Sequence, residues 1–152
     1  MATVRPDPER LAVWRSFLEA HTAITRLLEH ELEEQRELPI TWYSVLLQLH
    51  EAGGRLRMQD LADGVLLHKS SLTRVVDRME EAALVERVAC PEDGRSRYTV
   101  LLPEGRRMLR WAAPVHLRGI QQHFATYLTD SDVVALARVF AKLPGPGNDG
   151  DA

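Results

Sequence analysis

Two neighbouring segments in the middle of the chain carry hydrophobic residues at helical spacing. The pattern predicts one short helix over about Met58–Val65 and a second over about Lys69–Ala83. Their apolar faces consist of Met58, Leu61, Ala62 and Val65 in the first helix and Leu72, Val75, Val76 and Met79 in the second. Because only a few residues separate the segments, we expect the two helices to pack on each other through these faces.

The second helix also has a polar face whose chemistry suits DNA. Ser70, Ser71, Arg74 and Arg78 project from the side opposite the apolar face. Hydroxyl and guanidinium groups are the side chains that reach phosphates and base edges. For this helix alone, the simpler interpretation that two arginines keep a surface helix soluble is about equally good.

Two β-favouring runs, Val85–Ala89 and Tyr98–Leu102, follow the helix pair and predict a hairpin. Asp93-Gly94 between them predicts the turn, because glycine accepts a positive φ without steric cost. Arg95 and Arg97 have the same parity, so we expect them on one face of the ribbon. Guanidinium groups on a thin ribbon can enter the minor groove of DNA, where negative potential is concentrated. A solvated hairpin is the better interpretation of this segment alone, but its position after the helix pair favours DNA binding.

The segment before this core is predicted to form two helices. Asp7 and the following Pro8 are typical of a helix start, and hydrophobic residues then recur at helical spacing to about residue 36. Thr41 can cap a second helix that extends to about Ala52.

The segment after the hairpin is also predicted to be helical. A long helix is expected over residues 104–128, and Pro114 inside it is expected to kink or break it. Thr129–Asp132 resembles a capping box that opens a last helix to about Leu143. Residues 144–152, which begin with a run of proline and glycine, are predicted to be a disordered tail.

The terminal helices carry more apolar surface than one small core requires. The residues concerned are Leu11, Trp14, Leu117, Phe124, Val133, Leu136, Val139 and Phe140. Pairing of two chains about a two-fold axis would cover them and place two copies of the polar helix on one face of a duplex. The alternative is that they fold back onto their own domain.

The middle of the chain resembles the multiple-antibiotic-resistance regulator (MarR) family of bacterial transcription factors. The matching segments are Leu61-Ala62, Leu72–Glu80, Leu84–Arg87, Pro91–Arg95 and Glu104-Gly105. The Thr-Arg-x-x-Asp-Arg helix and the Asp-x-Arg wing occur together at the spacing of that family, which makes the match specific. The chain departs from the family pattern at Arg57, where a Ser or Thr helix cap is usual, and at His68, which replaces a small polar cap.

This resemblance implies a fold that is mainly α with a small β-wing, in a single domain of residues 1–152. A winged helix-turn-helix core, residues 41–102, would be flanked by N- and C-terminal dimerisation helices, residues 7–36 and 104–143. The implied function is that of a ligand-responsive repressor that binds a pseudo-palindromic double-stranded DNA operator as a homodimer. The expected DNA-binding residues are His68, Lys69, Ser70, Ser71, Thr73, Arg74, Arg78, Asp93, Arg95 and Arg97.

The family also implies a cleft for a small-molecule effector between the dimerisation and DNA-binding parts. Aromatic residues of the first two helices are the candidates for its lining. These residues are Trp14, Phe17, His21, Trp42 and Tyr43. They are at least equally well suited to the hydrophobic core.

Charge is distributed unevenly along the chain, which carries a formal net charge of −3. Residues 68–110 contain nine Lys or Arg against seven Asp or Glu, whereas residues 1–50 contain five against eight. Binding to DNA depends on the local patch and not on the total, so the acidic balance does not oppose it. The excess is small, so affinity is expected to depend on directed contacts and on two-fold pairing.

Composition favours one domain in the cytoplasm. The chain has 152 residues, of which 45% are hydrophobic and 27% charged, so it can bury a core. We see no apolar run long enough to span a bilayer and no signal peptide, and thus expect no membrane partner. Cys90 is the only cysteine, which excludes an intrachain disulfide and fits a reducing compartment.

Other chemistries find little support in the sequence. The six histidines form no pair at i, i+3 or i, i+4, and no nucleophile or nucleotide-binding motif occurs, so we expect no metal, no cofactor and no enzyme. A second alternative is a winged-helix module that binds another protein, which the arginines on both helix and ribbon disfavour. The position of Cys90 beside the wing suggests the hypothesis of a redox switch, but an inert side chain at a strand end is the better interpretation.

Overall fold

The computed structural model describes residues 4–65 and 69–145, with only the backbone described for Lys69. His68 and residues 146–152 of the predicted tail therefore lie outside the described residues. The elements in chain order are α1 Pro8–Arg36, α2 Ile40–Glu51, β1 Arg55–Arg57, α3 Met58–Val65, α4 Lys69–Glu81, β2 Val85–Cys90, β3 Asp93–Leu101, α5 Pro103–His123, a 3-10 turn Ala125–Tyr127, and α6 Asp130–Phe140. This order confirms the prediction of a mainly helical fold with a small β-wing.

The hydrophobic core lies where α2, α3, α4, β2 and α5 meet. Side chains from the predicted apolar faces of α3 and α4 are fully buried there, together with leucines of α2. They include Leu46, Leu49, Leu61, Leu72, Val76 and Met79. Each such side chain stabilises the fold by about 1.5–3 kcal/mol relative to an exposed one, so this core fixes how α4 is presented.

The predicted helix starts are confirmed at two places and wrong at a third. The Asp7 carboxylate accepts a hydrogen bond from the backbone N–H of Arg10 at 2.8 Å. Thr129 and Asp132 form the expected reciprocal capping box. Thr41 is not a cap, because α2 begins at Ile40 and the capping position belongs to Pro39, which makes no side-chain hydrogen bond. The fixed φ of proline orients the chain for the helix instead.

A kink or a break was expected at Pro114, and helix α5 passes through this residue without a break and ends at His123, earlier than expected. Its packing against α1 accounts for this continuity. A Cβ atom at Gly119 would lie 2.6 Å from both Leu28 and Glu31 of α1, so the two helices approach closely at this glycine. Tertiary packing along the helix offsets the hydrogen bond that proline cannot donate.

The β-sheet has three antiparallel strands in the order β1-β3-β2, and the sequence pattern did not reveal β1. The predicted turn at Asp93-Gly94 is wrong. Cys90 pairs with Asp93, so Pro91-Glu92 forms the connection, and Gly94 lies inside β3 without a positive φ. The next pair is Ala89 with Arg97, so residues 94–96 form a bulge in β3. None of the helices in the described ranges is both long and apolar enough to span a bilayer.

Candidate nucleic-acid interface

Helix α4 presents three distinct faces. Leu72, Val76 and Met79 are fully buried, which confirms the predicted apolar face. On another face the hydroxyl and guanidinium side chains are exposed, as predicted. They are Ser70, Ser71, Arg74 and Arg78. This second face is a polar surface about two turns long that is free to meet a ligand.

The third face of α4 is half-buried and consists of Thr73, Asp77 and Glu80, which recur at i, i+4 and i+7. Asp77 and Glu80 form ion pairs with Arg87 of β2, and Glu80 also accepts the backbone N–H of Arg87 at 2.7 Å. Thr73 therefore lies on the flank of the helix that faces the wing, away from the exposed arginines. It had been expected among the DNA-binding residues together with them.

The pairing of Arg87 shows in the pKa values of the groups involved. The backbone N–H of Arg87, and then its guanidinium, lower the pKa of Glu80. Burial lowers the pKa of Arg87, but its hydrogen bonds to Asp77 and Glu80 outweigh burial and raise it overall. The charge of Arg87 is thus largely used inside the protein, where it holds α4 against the wing.

Both predicted arginines of the wing are exposed. Arg97 pairs with Ala89, whereas Arg95 lies in the bulge. Asp93 shapes this bulge, because its carboxylate accepts the backbone N–H of Arg95 at 3.0 Å and the hydroxyl of Ser96 at 2.7 Å. Both hydrogen bonds lower the pKa of Asp93, and the one from Ser96 has the larger effect. Asp93 is thus linked to Arg95 through the backbone N–H and not through the guanidinium.

A cleft of about 500 Å³ separates α4 from the wing. The structure brings Thr73 of α4 together with Arg95 and Arg97 of the wing across this cleft, and Arg87 also lines it. It adds Arg57 of β1, which sequence reasoning had treated only as a departure from a helix cap. The alternation Arg-Leu-Arg over residues 55–57 was the available signal, because it places two arginines on one face of a strand.

Arg55 and Arg57 both lie over the ring of Tyr98 on β3, with guanidinium carbons 4.6 Å and 5.8 Å from the ring centroid. A hydrogen bond with Tyr98 is the main reason that the pKa of Arg57 is raised. The hydroxyl of Tyr98 also donates to Glu92 at 3.3 Å. The aromatic ring therefore orients both arginines at the edge of the wing.

The buried thiol of Cys90 lies beside this cluster and donates to the carboxylate of Glu92 at 2.9 Å. That hydrogen bond is the main cause of the lowered pKa of Glu92. The Cys90 side chain is 2% exposed, so an oxidant has little access to the sulfur. The geometry therefore agrees with the interpretation of Cys90 as a structural side chain.

The five residues predicted for an effector cleft do not line one common cavity in the folded chain. Trp14, Phe17 and His21 form a series of ring contacts along α1, and Phe17 also contacts Phe140 of α6. They line an apolar groove of about 840 Å³ between α1, α5 and α6. Trp42 packs against the core instead.

Tyr43, the fifth of these residues, is 3% exposed and lines a different cavity, of about 460 Å³, between α2 and α5. Its ring lies 4.5 Å from that of His116. Burial lowers the pKa of His116, and its Nδ1 atom is buried without a hydrogen-bond partner among the described residues. Burial is also the main cause of the raised pKa of Tyr43.

The apolar residues of the terminal helices remain on the surface, so the alternative that they fold back onto their own domain is wrong. Trp14, Leu117 and Val133 are each about half exposed or more, and Leu136 alone of the eight residues is half-buried. Within the described ranges, no three His, Cys, Asp or Glu side chains are placed to hold a metal ion.

An outward-facing helix with hydroxyl and guanidinium side chains, beside an arginine-bearing wing, defines a winged helix-turn-helix protein of the DNA-binding class. A family model described as the MarR family matches residues 37–96. AbsC of Streptomyces coelicolor, a MarR family transcriptional regulator, is 33% identical, with a TM-score of 0.81 over 91% of this chain and 93% of AbsC. The chain belongs to the MarR family and is a DNA-binding transcriptional regulator.

Two further solved structures are similar to this chain. Sco3205, a MarR family regulator of Streptomyces coelicolor solved in complex with DNA, is 31% identical, with a TM-score of 0.84 over 93% of this chain and 89% of that protein. BpsR of Bordetella bronchiseptica, whose DNA binding is regulated by 6-hydroxynicotinic acid, is 19% identical, with a TM-score of 0.75 over 86% and 97% of the two chains. At that identity, BpsR shows a shared fold alone.

Proposed function

We propose that this protein is a homodimeric transcriptional repressor that binds a pseudo-palindromic operator in the cytoplasm and is released by a small-molecule effector. One observation carries the DNA-binding part of the proposal. Thr73 of α4 and the wing arginines Arg95 and Arg97 line a single cleft, and the polar face of α4 is exposed next to it. A helix and a ribbon in this relation can occupy the major groove and the adjacent minor groove at once.

In the proposed complex, the first turns of α4 lie in the major groove. Ser70, Ser71 and Arg74 contact base edges there, and Arg78, one turn further along, contacts a phosphate. Lys69 begins this helix and His68 precedes it in the sequence, and both are proposed as further contacts. Arg95 and Arg97 enter the minor groove, and Asp93 supports them by holding the bulge.

The proposal of a homodimer rests on the apolar groove between α1, α5 and α6. Its walls include Trp14, Phe17 and Phe140, which are about half exposed in the single chain. Exposed apolar surface of this kind marks an interaction site. A second copy that covers it would place two α4 helices on half-sites whose centres are about 10 base pairs apart. The complex of the similar regulator Sco3205 with DNA supports DNA as the target.

A charge in this groove tests the dimer. Phe140→Glu should lower the association constant strongly, because one carboxylate per subunit would have to be buried in an apolar interface. Val134→Glu is the matched control, since Val134 lies on the same helix, is 70% exposed and does not line the groove. Sedimentation should show monomers for the first variant and dimers for the second. Two dimeric variants would reject this groove as the interface.

We place the effector in the cavity between α2 and α5 and assign the α1 aromatics to the dimer groove. Tyr43 and His116 form part of its wall, and Arg106 and Arg110 also line it. Glu51 also lines this cavity, so its two arginines leave one net positive charge in a largely apolar wall, which suits a small organic anion. The regulation of BpsR by 6-hydroxynicotinic acid supports an effector of this class. Arg110→Gln, at an exposed position, should raise the concentration of effector needed to release DNA.

Genomic footprinting followed by binding titrations tests the function as a whole. The purified protein should protect discrete pseudo-palindromic sites, and its affinity for them should fall as salt rises, because phosphate contacts release counterions. Transcription from the bound promoters should rise when the gene is deleted. Protein that binds no duplex DNA but captures a protein partner would favour the alternative of a protein-binding winged helix.

A further inference from the structure

The cleft between α4 and the wing lies where one strand of bound DNA would have to pass. If α4 lies in the major groove and the wing in the adjacent minor groove, the sugar–phosphate strand that separates those grooves has to pass between them. This argument rests on the proposed DNA complex. We propose that the cleft binds that strand and that Arg57 is a further phosphate-binding residue within it.

The charge of the cleft fits a phosphate. Arg57, Arg95 and Arg97 line it, and Asp60 is the acidic residue among its described lining. Arg87 also lines it, but that guanidinium is bound by Asp77 and Glu80. The three remaining arginines therefore leave the cleft cationic.

The carboxylates nearest to Arg57 on its other side already have partners. Glu92 accepts hydrogen bonds from Cys90 and Tyr98, and Asp93 accepts them from Ser96 and the backbone of Arg95. Both acids lie close enough for Arg57 to contribute to the lowering of their pKa values. Because these carboxylates accept their hydrogen bonds from other groups, the N–H groups of Arg57 that do not bond to Tyr98 can donate to a phosphate oxygen.

Arg57 is also held in place before DNA arrives. It is half-buried on β1, pairs in register with Tyr98, and its guanidinium lies over that ring. An arginine with a restrained side chain loses less conformational entropy when it binds a phosphate than a mobile surface arginine does.

The matched control is Arg55 on the same strand. Its guanidinium lies closer to the Tyr98 ring than that of Arg57, and its side chain is exposed, but it does not line the cleft. Arg55→Gln and Arg57→Gln therefore remove the same charge and the same type of ring contact. They differ in whether the lost group faces the proposed path of the strand.

The salt dependence of DNA binding distinguishes the two variants. We would titrate the full-length proteins with a mixed-sequence duplex of about 30 base pairs over a range of potassium chloride concentrations. Each lost phosphate contact lowers the magnitude of the slope of log K against log salt by about 0.9, so Arg57→Gln should lower it by about 1.8 for a dimer. Arg55→Gln should leave the slope close to that of wild type. Arg57→Lys should also keep the slope, because the ammonium still displaces a counterion.

Several results would overturn the proposal. Equal losses of slope in both glutamine variants would show a general effect of charge, and an unchanged slope for Arg57→Gln would show no contact. A slope that falls in Arg57→Lys as it does in Arg57→Gln would show that the charge is not what binds. Wild-type protein that binds no duplex would instead contradict the proposed function itself.

Neutral phosphates provide a second measurement on the mapped operator. A methylphosphonate in the strand between the two occupied grooves should weaken binding by wild type and by Arg55→Gln. It should have little further effect on Arg57→Gln, because the charge that it would have met is already absent. An equal loss in all three proteins would exclude Arg57 as the partner of that phosphate.

Discussion

Helix α4 is closed by a residue whose replacement by glycine should stabilise the protein. Ala83 has a φ of 58°, in the left-handed region, and is exposed. It closes the helix in a Schellman arrangement, in which the N–H of Leu84 binds the carbonyl of Met79 and the N–H of Ala83 binds that of Glu80, both at 3.0 Å. Glycine is the residue usually preferred at this position because it has no Cβ atom.

The expected effect of Ala83→Gly follows from two opposing terms. The left-handed conformation costs a non-glycine residue about 1–2 kcal/mol. Glycine gains freedom in the unfolded chain, which lowers stability by about 0.4–1 kcal/mol. The variant should therefore be more stable by about 0.8 kcal/mol, the difference of the midpoints. For a chain of this size, that corresponds to a rise in Tm of about 2–3 °C.

Ala82→Gly is the control, because Ala82 is the preceding exposed residue and does not have a positive φ. Glycine there should lower stability by about 0.5–1 kcal/mol. Urea unfolding followed by circular dichroism, at one fixed protein concentration, measures both variants. The reasoning would be refuted if Ala83→Gly were no more stable than Ala82→Gly.

Two further predictions concern the wing and its link to α4. Because the pKa of Glu80 is lowered in the folded protein, its ionised form stabilises the fold at neutral pH, and this contribution is lost as pH falls through the lowered pKa. Urea midpoints should therefore fall less on acidification in Glu80→Gln than in wild type, and parallel losses would contradict this. Because the Cys90 thiol is buried and donates to Glu92, wild type and Cys90→Ser should retain equal operator affinity after mild peroxide. Reversible release of DNA by wild type alone would instead establish a redox switch.

Hydrophobic periodicity was sufficient to predict the helices that build the core. The bounds of α3 and the apolar face of α4 could be read from the sequence, because burial on one side imposes a 3.6-residue period. Strand β1 could not be predicted, because Arg55–Arg57 is only three residues long and two of the three are arginines. Its stability comes from pairing with β3, which is a long-range contact without a local signal.

Helical periodicity also predicted the part of the candidate site that lies on α4. Exposed residues of α4 such as Arg74 follow from helix geometry, and the structure confirms their exposure. Thr73 lies toward the wing because Arg87 draws its neighbours Asp77 and Glu80 to that side, and no periodicity encodes that pairing. The turn was misplaced because Asp93 uses its carboxylate to hold a bulge, whereas Gly94 had suggested a tight turn.

The central claim is that the exposed face of α4 contacts the bases and phosphates of the operator. A comparison of Arg74→Ala with Arg78→Ala tests it most directly. Affinity is measured for the mapped operator and for a set of operators with single base-pair changes, with the dimer verified by sedimentation. Arg74→Ala should lose about 1–3 kcal/mol on the operator and discriminate less at one base pair, whereas Arg78→Ala should weaken binding to all sequences alike. Unchanged operator affinity in both dimeric variants would contradict the assignment of α4 as the recognition helix.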